Sequence, residues 1–194
     1  MTYTIHRYPV HLIDVVRLAD AGRVTIRPTL PQDIELQQAF FRSLTFKDRY
    51  SRFMAGFREL PQTLVERFAN IDYHDHLALM GEVFEDGQEV MIGEARYAID
   101  QHDRARCEFA IAVADSWRGS GLARILLQRL ERHAAESGIR HMAADTLIDN
   151  KAMIRLAARA GYAVSTSHDD ASLVRLEKQL MPSAVPHPVQ PLAA

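Results

Sequence analysis

The sequence predicts one α/β (α+β) domain, a mixed and mostly antiparallel central sheet flanked by helices. Three observations predict it. Apolar residues recur with period two or period 3.6 in the order strand, helices, three strands, helix, strand, helix, two strands, and such an order builds a sheet with helices packed on it. The chain has 194 residues, 47% hydrophobic and 25% charged, which suits one globular core. The longest amphipathic stretch, 121–137, opens on a glycine and is stopped by Gly138, as a helix on a sheet requires.

The elements follow in order. Val24-Thr25-Ile26-Arg27 alternates as a strand, and Pro28 ends it. Pro31-Gln32-Asp33 opens a helix with Asp33 in its first turn and Ile34, Leu36, Ala39, Phe40 and Phe41 apolar. Residues 46–57 form a second, aromatic-rich helix, and 61–69 a third with Leu64, Val65 and Phe68 on one face. Residues 76–84, 90–99 and 106–113 read as three antiparallel strands, the first two joined at the turn Asp86-Gly87. In the helix 121–137, Leu122, Ile125, Leu126, Leu130 and Ala134 have helical spacing. A strand at 141–147, a helix at 150–160 stopped by Gly161, and a hairpin of 162–166 with 171–176 complete the domain.

The domain so defined spans 23–180. Residues 1–22 read as an N-terminal, linker-like extension, in which Tyr8, Val10, Leu12, Val15 and Val16 either pack on the domain or belong to a linker. Residues 181–194 carry Pro182, Pro186, Pro188 and Pro191 and are expected to form a disordered tail.

A formal net charge of -2 offers no global basic field for nucleic acid. A single cysteine, Cys107, permits no internal disulfide and points to a reducing compartment. No apolar run approaches the roughly 20 residues of a membrane helix, and the first residues lack a signal pattern. The expectation is a cytoplasmic protein with neither a nucleic-acid nor a membrane partner. His74-Asp75-His76 invites a metal reading, but nearby residues complete no recognisable ligand set, so no metal is expected. Arg49, Arg52 and Arg58, interleaved with Tyr50, Phe53 and Phe57, read as a helix with a buried aromatic side and a solvated charged side rather than a nucleic-acid stacking surface.

Chemistry concentrates in 108–123. A strand runs into Arg118-Gly119-Ser120-Gly121-Leu122-Ala123, which opens a helix. A helix N-terminus has unpaired N–H groups and the positive end of the dipole. Glycines admit phosphate oxygens close to the backbone, and Arg118 adds a fixed charge and a fork of donors. The spacing is not that of a Walker loop. Arg124 stands where a dinucleotide fingerprint needs its third glycine. The plainer alternative is a glycine turn that only caps a helix.

Arg118-Gly119-Ser120-Gly121-Leu122-Ala123 resembles the Arg/Gln-x-x-Gly-x-Gly/Ala signature of the GNAT N-acetyltransferase superfamily. A second block, Asn150-Lys151-Ala152-Met153-Ile154-Arg155-Leu156 ending in Ala160-Gly161-Tyr162, resembles that family at the expected distance. Val24-Thr25-Ile26-Arg27-Pro28, Phe40-Phe41-Arg42-Ser43-Leu44, Arg49-Tyr50-Ser51-Arg52-Phe53 and Ile71-Asp72-Tyr73 are similar to the acetyltransferase domain of bacterial Pat-type protein lysine acetyltransferases. In larger members that domain follows an acyl-CoA-synthetase-like region, and Tyr8-Pro9-Val10-His11-Leu12 resembles the junction before it. The resemblance implies a GNAT fold and acetyl-CoA as cosubstrate. It implies that Arg118, Gly119, Ser120, Gly121, Leu122 and Ala123 hold the pyrophosphate, and that Ile111, Ala112 and Val113 pair with the pantetheine arm like an added strand. Asn150 would hydrogen-bond the arm; it also suits an ordinary helix N-cap, and both roles can hold together.

A lysine acceptor has a pKa of ~10.4 and must lose a proton before it attacks a thioester. Glu108 is the candidate base, a carboxylate in an otherwise apolar strand, where burial would raise its pKa. The resemblance implies the same role. The alternative is a glutamate at an exposed strand start, paired with Arg104 or Arg106. Where many family members have a tyrosine acid, this chain has Ala157. Cys107 points to the opposite face from Glu108, and Tyr162 is expected in the core.

The resulting expectation is an acetyl-CoA-dependent N-acetyltransferase acting by direct transfer on a protein lysine, such as one of an acyl-CoA synthetase. The alternatives are a small-amine acetyltransferase and a catalytically silent acyl-CoA-binding regulatory module.

Overall fold

The computed structural model describes residues 7–18, 22–167 and 170–181. Among these residues eight strands form one sheet. They are β1 (Asp14–Leu18), β2 (Gly22–Pro28), β3 (His76–Glu85), β4 (Gln88–Ile99), β5 (Arg106–Val113), β6 (His141–Leu147), β7 (Ala163–Thr166) and β8 (Leu173–Gln179). The helices are α1 (Ile34–Ser43), α2 (Phe46–Phe53), α3 (Gln62–Ala69), α4 (Leu122–Glu136) and α5 (Lys151–Arg159). The strand order is β1-β2-β3-β4-β5-β6-β8-β7. Every neighbouring pair is antiparallel except β5 and β6. This is the expected mixed, mostly antiparallel sheet flanked by helices, the GNAT fold.

Of the two alternatives for the N-terminal extension the structure shows packing on the domain, and one helix is shorter than expected. Residues 14–18 of the expected extension pair with β2 as an edge strand, and Leu12 and Leu18 are buried in the main core. The second helix stops at Phe53 rather than residue 57, because Met54 takes a left-handed conformation with φ of 52° and closes the helix. The proline-rich tail lies outside the described residues apart from Met181. Residues 1–6, 19–21, His168 and Asp169 also lie outside them.

The sheet has a different partner on each face. On one, α4 and α5 bury Leu122, Leu126, Leu127, Leu130 and Ala157 against inward residues such as Ile26, Leu79, Tyr97 and Met142. On the other, Phe40 and Leu44 of α1 and its end pack on Met80 and Met91. No helix among the described residues is long and apolar enough to cross a membrane.

The register of β3 and β4 shifts between Gly81 and Glu82, opposite Gly93. A Cβ on Gly81 would lie 3.1 Å from a methyl of Leu122, and one on Gly93 3.0 Å from its other methyl. Two glycines and a bulge thus make the socket that receives the first residue of α4. This seats the preceding loop at the sheet centre.

Candidate active site

A 3₁₀ turn over Asp115–Trp117 leads from β5 into the glycine loop. Gly119 and Gly121 have φ of +77° and +92°, and a Cβ at either would meet no atom within 4 Å. The loop therefore needs glycine for its backbone, and the space beside it is open. Ser120 Oγ donates to the Trp117 carbonyl at 2.7 Å and accepts from the Leu122 N–H at 3.3 Å. The first full helical bond runs from Ile125 N–H to the Gly121 carbonyl, 3.1 Å, so the Ala123 and Arg124 N–H groups stand ahead of the helical ladder. Leu122 itself is fully buried in the glycine socket. Arg118 pairs with Asp115 at 2.7 Å and also with Asp48 of α2.

Beside this loop the sheet opens. β5 and β6 pair only over Arg106↔His141, Cys107↔Met142 and Glu108↔Ala143. Beyond Glu108 the two strands part, and β5 keeps only its bonds to β4. The Asp100 N–H donates to Arg106 and the Ala114 N–H to the Ile92 carbonyl, so even-numbered residues of β5 bond toward β4. The main-chain groups of Ile111 and Val113 consequently face the gap, while those of Ala112 lie in the ladder opposite Glu94. The gap has one free strand edge, suited to an extended ligand that pairs like a strand.

Asn150 sits on the far rim as the N-cap of α5. Its Oδ1 accepts from the Met153 N–H at 3.2 Å, and its Nδ2 donates to Thr146 Oγ1 at 3.0 Å. The capping role is thus directly visible. Lys47 of α2 pairs with the neighbouring Asp149 at 3.3 Å. Together with Asp48 and Arg118, it ties the start of α2 to both rims of the gap.

Glu108 stands at the last paired residue before the strands separate. Its side chain is 70% exposed. The expected burial is therefore corrected: alternation turns Cys107 and Phe109 into the core and Glu108 to the open face. Arg104 and Arg106, its expected alternative partners, pair instead with Asp75 and Asp103. The partner of Glu108 is Arg175 of β8, at 3.4 Å. A cleft of about 180 Å³ is lined by these two residues with Ala143 and Glu177. Arg175 escaped the sequence reading because the pairing of β6 with β8 sets Asp145 against Arg175 across 30 residues of chain. The available signal was alternation in β8, where Arg175, Glu177 and Gln179 share one face and Val174 and Leu176 are buried on the other.

A buried charge cluster under α2 and α3 also went unseen. Arg96 forks onto Glu94 with two bonds of 2.6 Å and lies 3.4 Å over the Phe68 ring. Arg52 approaches the same carboxylate at 3.7 Å and covers the Phe53 ring. The expected solvated side of α2 is corrected here, since Arg52 points inward to a carboxylate and an aromatic face. Arg96 and Arg52 hold Glu94 below the usual carboxylate range against its burial. Burial lowers Arg52 to about 10.

The remaining candidates are placed simply. Cys107 is buried, which pushes its thiol up to about 12. Tyr162 packs against Phe109 in the core, and Ala157 is fully buried. Among the described residues no group of three or more His, Cys, Asp and Glu side chains is placed to hold a metal.

Residues 39–162 match the acetyltransferase (GNAT) family. An acetyltransferase of Pseudomonas aeruginosa is 31% identical over 160 residues, which cover 82% of this chain and 86% of that protein. The crystal structure of the GNAT domain of S. lividans PAT is 31% identical and superposes with a TM-score of 0.81, over 90% of this chain and 100% of that one. An acetyltransferase of Salmonella typhimurium, solved with its cofactor acetyl-CoA, shares the fold at 21% identity and a TM-score of 0.62, over 85% of this chain and 98% of that one. The parted strands and the glycine loop at the head of α4 suit a thioester donor with a phosphate-bearing tail. The chain belongs to the GNAT acetyltransferase family and is an N-acetyltransferase that uses acetyl-CoA as its cosubstrate.

Proposed function

We propose that this enzyme acetylates a lysine side chain of a protein in the cytoplasm by direct transfer, with Glu108 as general base. An acyl-CoA synthetase is the leading acceptor. One observation carries the reading of the base: Glu108 is the residue at which β5 and β6 part, and it faces an open cleft. The likeness to the GNAT domain of S. lividans PAT over its whole length supports a protein acceptor.

In this reading the main chain of Ile111 and Val113 lines the pantetheine arm, with Ala112 holding the strand to β4. Arg118 and the loop Gly119, Ser120, Gly121, Leu122 and Ala123 bind the pyrophosphate. Asn150 contributes from the far rim while it caps α5. Bound acetyl-CoA supplies an activated thioester. Glu108 takes the proton from the acceptor ammonium, directly or through a water. Because Glu108 is exposed in the free enzyme, its desolvation comes from the donor and acceptor that close over it. N–H groups on the free edge of β5 steady the developing oxyanion. A thiol with a pKa of ~8.5 leaves as its thiolate without a tyrosine acid, consistent with Ala157.

The cleft is open on the Glu108 side, which favours a side chain projecting from a protein over an enclosed small amine. Intact-mass analysis of a bacterial acyl-CoA synthetase after incubation with acetyl-CoA tests the proposal. A gain of one acetyl group with wild type and none with Glu108→Gln supports it. No gain while acetyl-CoA still binds points to a small amine or to a binding module without turnover. Thiol release with an amine panel separates these two.

A further inference from the structure

The mechanism above uses Glu108 and leaves unexplained the group that touches it. Arg175 projects from β8 among three carboxylates drawn from three strands. Its Nη1 donates to Asp145 Oδ2 of β6 at 2.8 Å and lies 3.4 Å from Glu108 Oε1 of β5, and its Nε lies 3.4 Å from Glu177 Oε1 of β8. The distances rank the partners. Asp145 anchors the guanidinium, and Glu108 is held at the outer limit of a hydrogen bond. Arg175 is the less exposed partner, with 28% of its side chain accessible against 70% for Glu108. A half-buried cation fixed on one strand pair thus reaches across to an exposed carboxylate on the next strand, at the point where β5 and β6 separate.

We infer that Arg175, anchored by Asp145, is a positioning residue that holds the Glu108 carboxylate at the mouth of the gap between β5 and β6. The inference rests on the reading of Glu108 as the base. The weak contact serves the role. A carboxylate gripped by two short bonds would be a poor proton acceptor, whereas one tethered at a single long contact is oriented and still free to take a proton.

The other charged groups bordering this cleft are Asp100, Arg106, His141 and Lys178. Glu94 and Arg96, further along the same face, are engaged with each other.

The test compares Arg175→Met, Asp145→Asn and Arg175→Lys with wild type, each alone and Arg175→Met also in a Glu108→Gln background, using whichever acceptor the experiment above identifies. Arg175→Met should lower kcat roughly tenfold and leave the KM for acetyl-CoA unchanged. Asp145→Asn should lower kcat in the same sense, and Arg175→Lys should recover part of the loss. In the Glu108→Gln background Arg175→Met should cost nothing further, because its effect runs through Glu108. An unchanged kcat in Arg175→Met, or an equal further loss in the Glu108→Gln background, overturns the inference. If Glu108→Gln turns over like wild type, the base assignment itself falls, and this inference falls with it. If Glu108→Gln is impaired while Arg175→Met is not, only the role of Arg175 is lost.

Discussion

Arg118, the cation of the glycine loop, is paired with Asp48 in the first turn of α2, a residue 70 positions away in sequence. Asp115 holds the same guanidinium from the loop side. Any donor phosphate that uses Arg118 meets two carboxylates already there. Asp48→Asn should therefore tighten acetyl-CoA binding several-fold, and Arg118→Ala should weaken it, both read as Kd by calorimetry. All these partners are partly solvated, so the effect of Asp48 should shrink at high salt. Weaker binding in Asp48→Asn would instead make α2 a support of the donor site.

Gly119 separates the needs of the fold from those of the ligand. A methyl group there strikes no protein atom, so Gly119→Ala should cost about 1 kcal/mol or a little more from its positive φ alone. The same methyl projects into the space assigned to the pyrophosphate, and acetyl-CoA affinity should fall about tenfold or more. A large loss of stability with unchanged affinity would refute that placement.

Acid should destabilise the fold before it protonates ordinary carboxylates. Burial holds His76 and His133 at about 4, with Arg96 adding to the effect at His76. His133 Nδ1 is 2.9 Å from the Tyr97 hydroxyl, whose own pKa burial raises, so a neutral ring is hydrogen-bonded to a neutral phenol. Between pH ~6.5 and about 4 the unfolded chain binds protons that the folded one refuses. Stability therefore falls as pH drops through that window, by up to about 3 kcal/mol for each histidine. Urea midpoints at pH 7 and pH 5 measure the fall, and His133→Gln should reduce it. A flat profile in the wild type would count against both burial effects.

Arg96→Ala leaves Glu94 buried with only the longer contact to Arg52. A loss of about 3 kcal/mol or more is expected in chemical denaturation. Glu94→Leu combined with Arg96→Met and Arg52→Met, which removes the whole cluster, should recover much of it. A loss under 1 kcal/mol in the single variant would mean that Arg52 swings in to compensate.

Cys107 should be inert. Its thiol stays protonated far above neutral pH, and its side chain faces away from Glu108. Iodoacetamide at pH 8 should leave the native enzyme unlabelled by mass and fully active, and Cys107→Ala should turn over at the wild-type rate. Inactivation matched by one adduct would reopen a thioester route.

The sequence carried the elements and the loop because both are local. Alternation in 106–113, the turn Asp86-Gly87 and the glycines around Ser120 each write their conformation into a few adjacent residues. Arg175 against Glu108 and Arg52 against Glu94 depend on register between strands and on the tilt of a short helix, which no window of sequence encodes. The exposure of Glu108 was missed for a related reason. Apolar neighbours suggest a buried strand, but they alternate onto the far face or, like Ala110 and Ala112, are too small to cover a carboxylate.

Leu122 rests its two methyls on Gly81 and Gly93, on the sheet face opposite the one that carries α1. The seat of the glycine loop is thus set from beneath the sheet. A side chain at either glycine would lift Leu122 and shift the loop against Glu108, so that every residue of the site is kept and their alignment is lost.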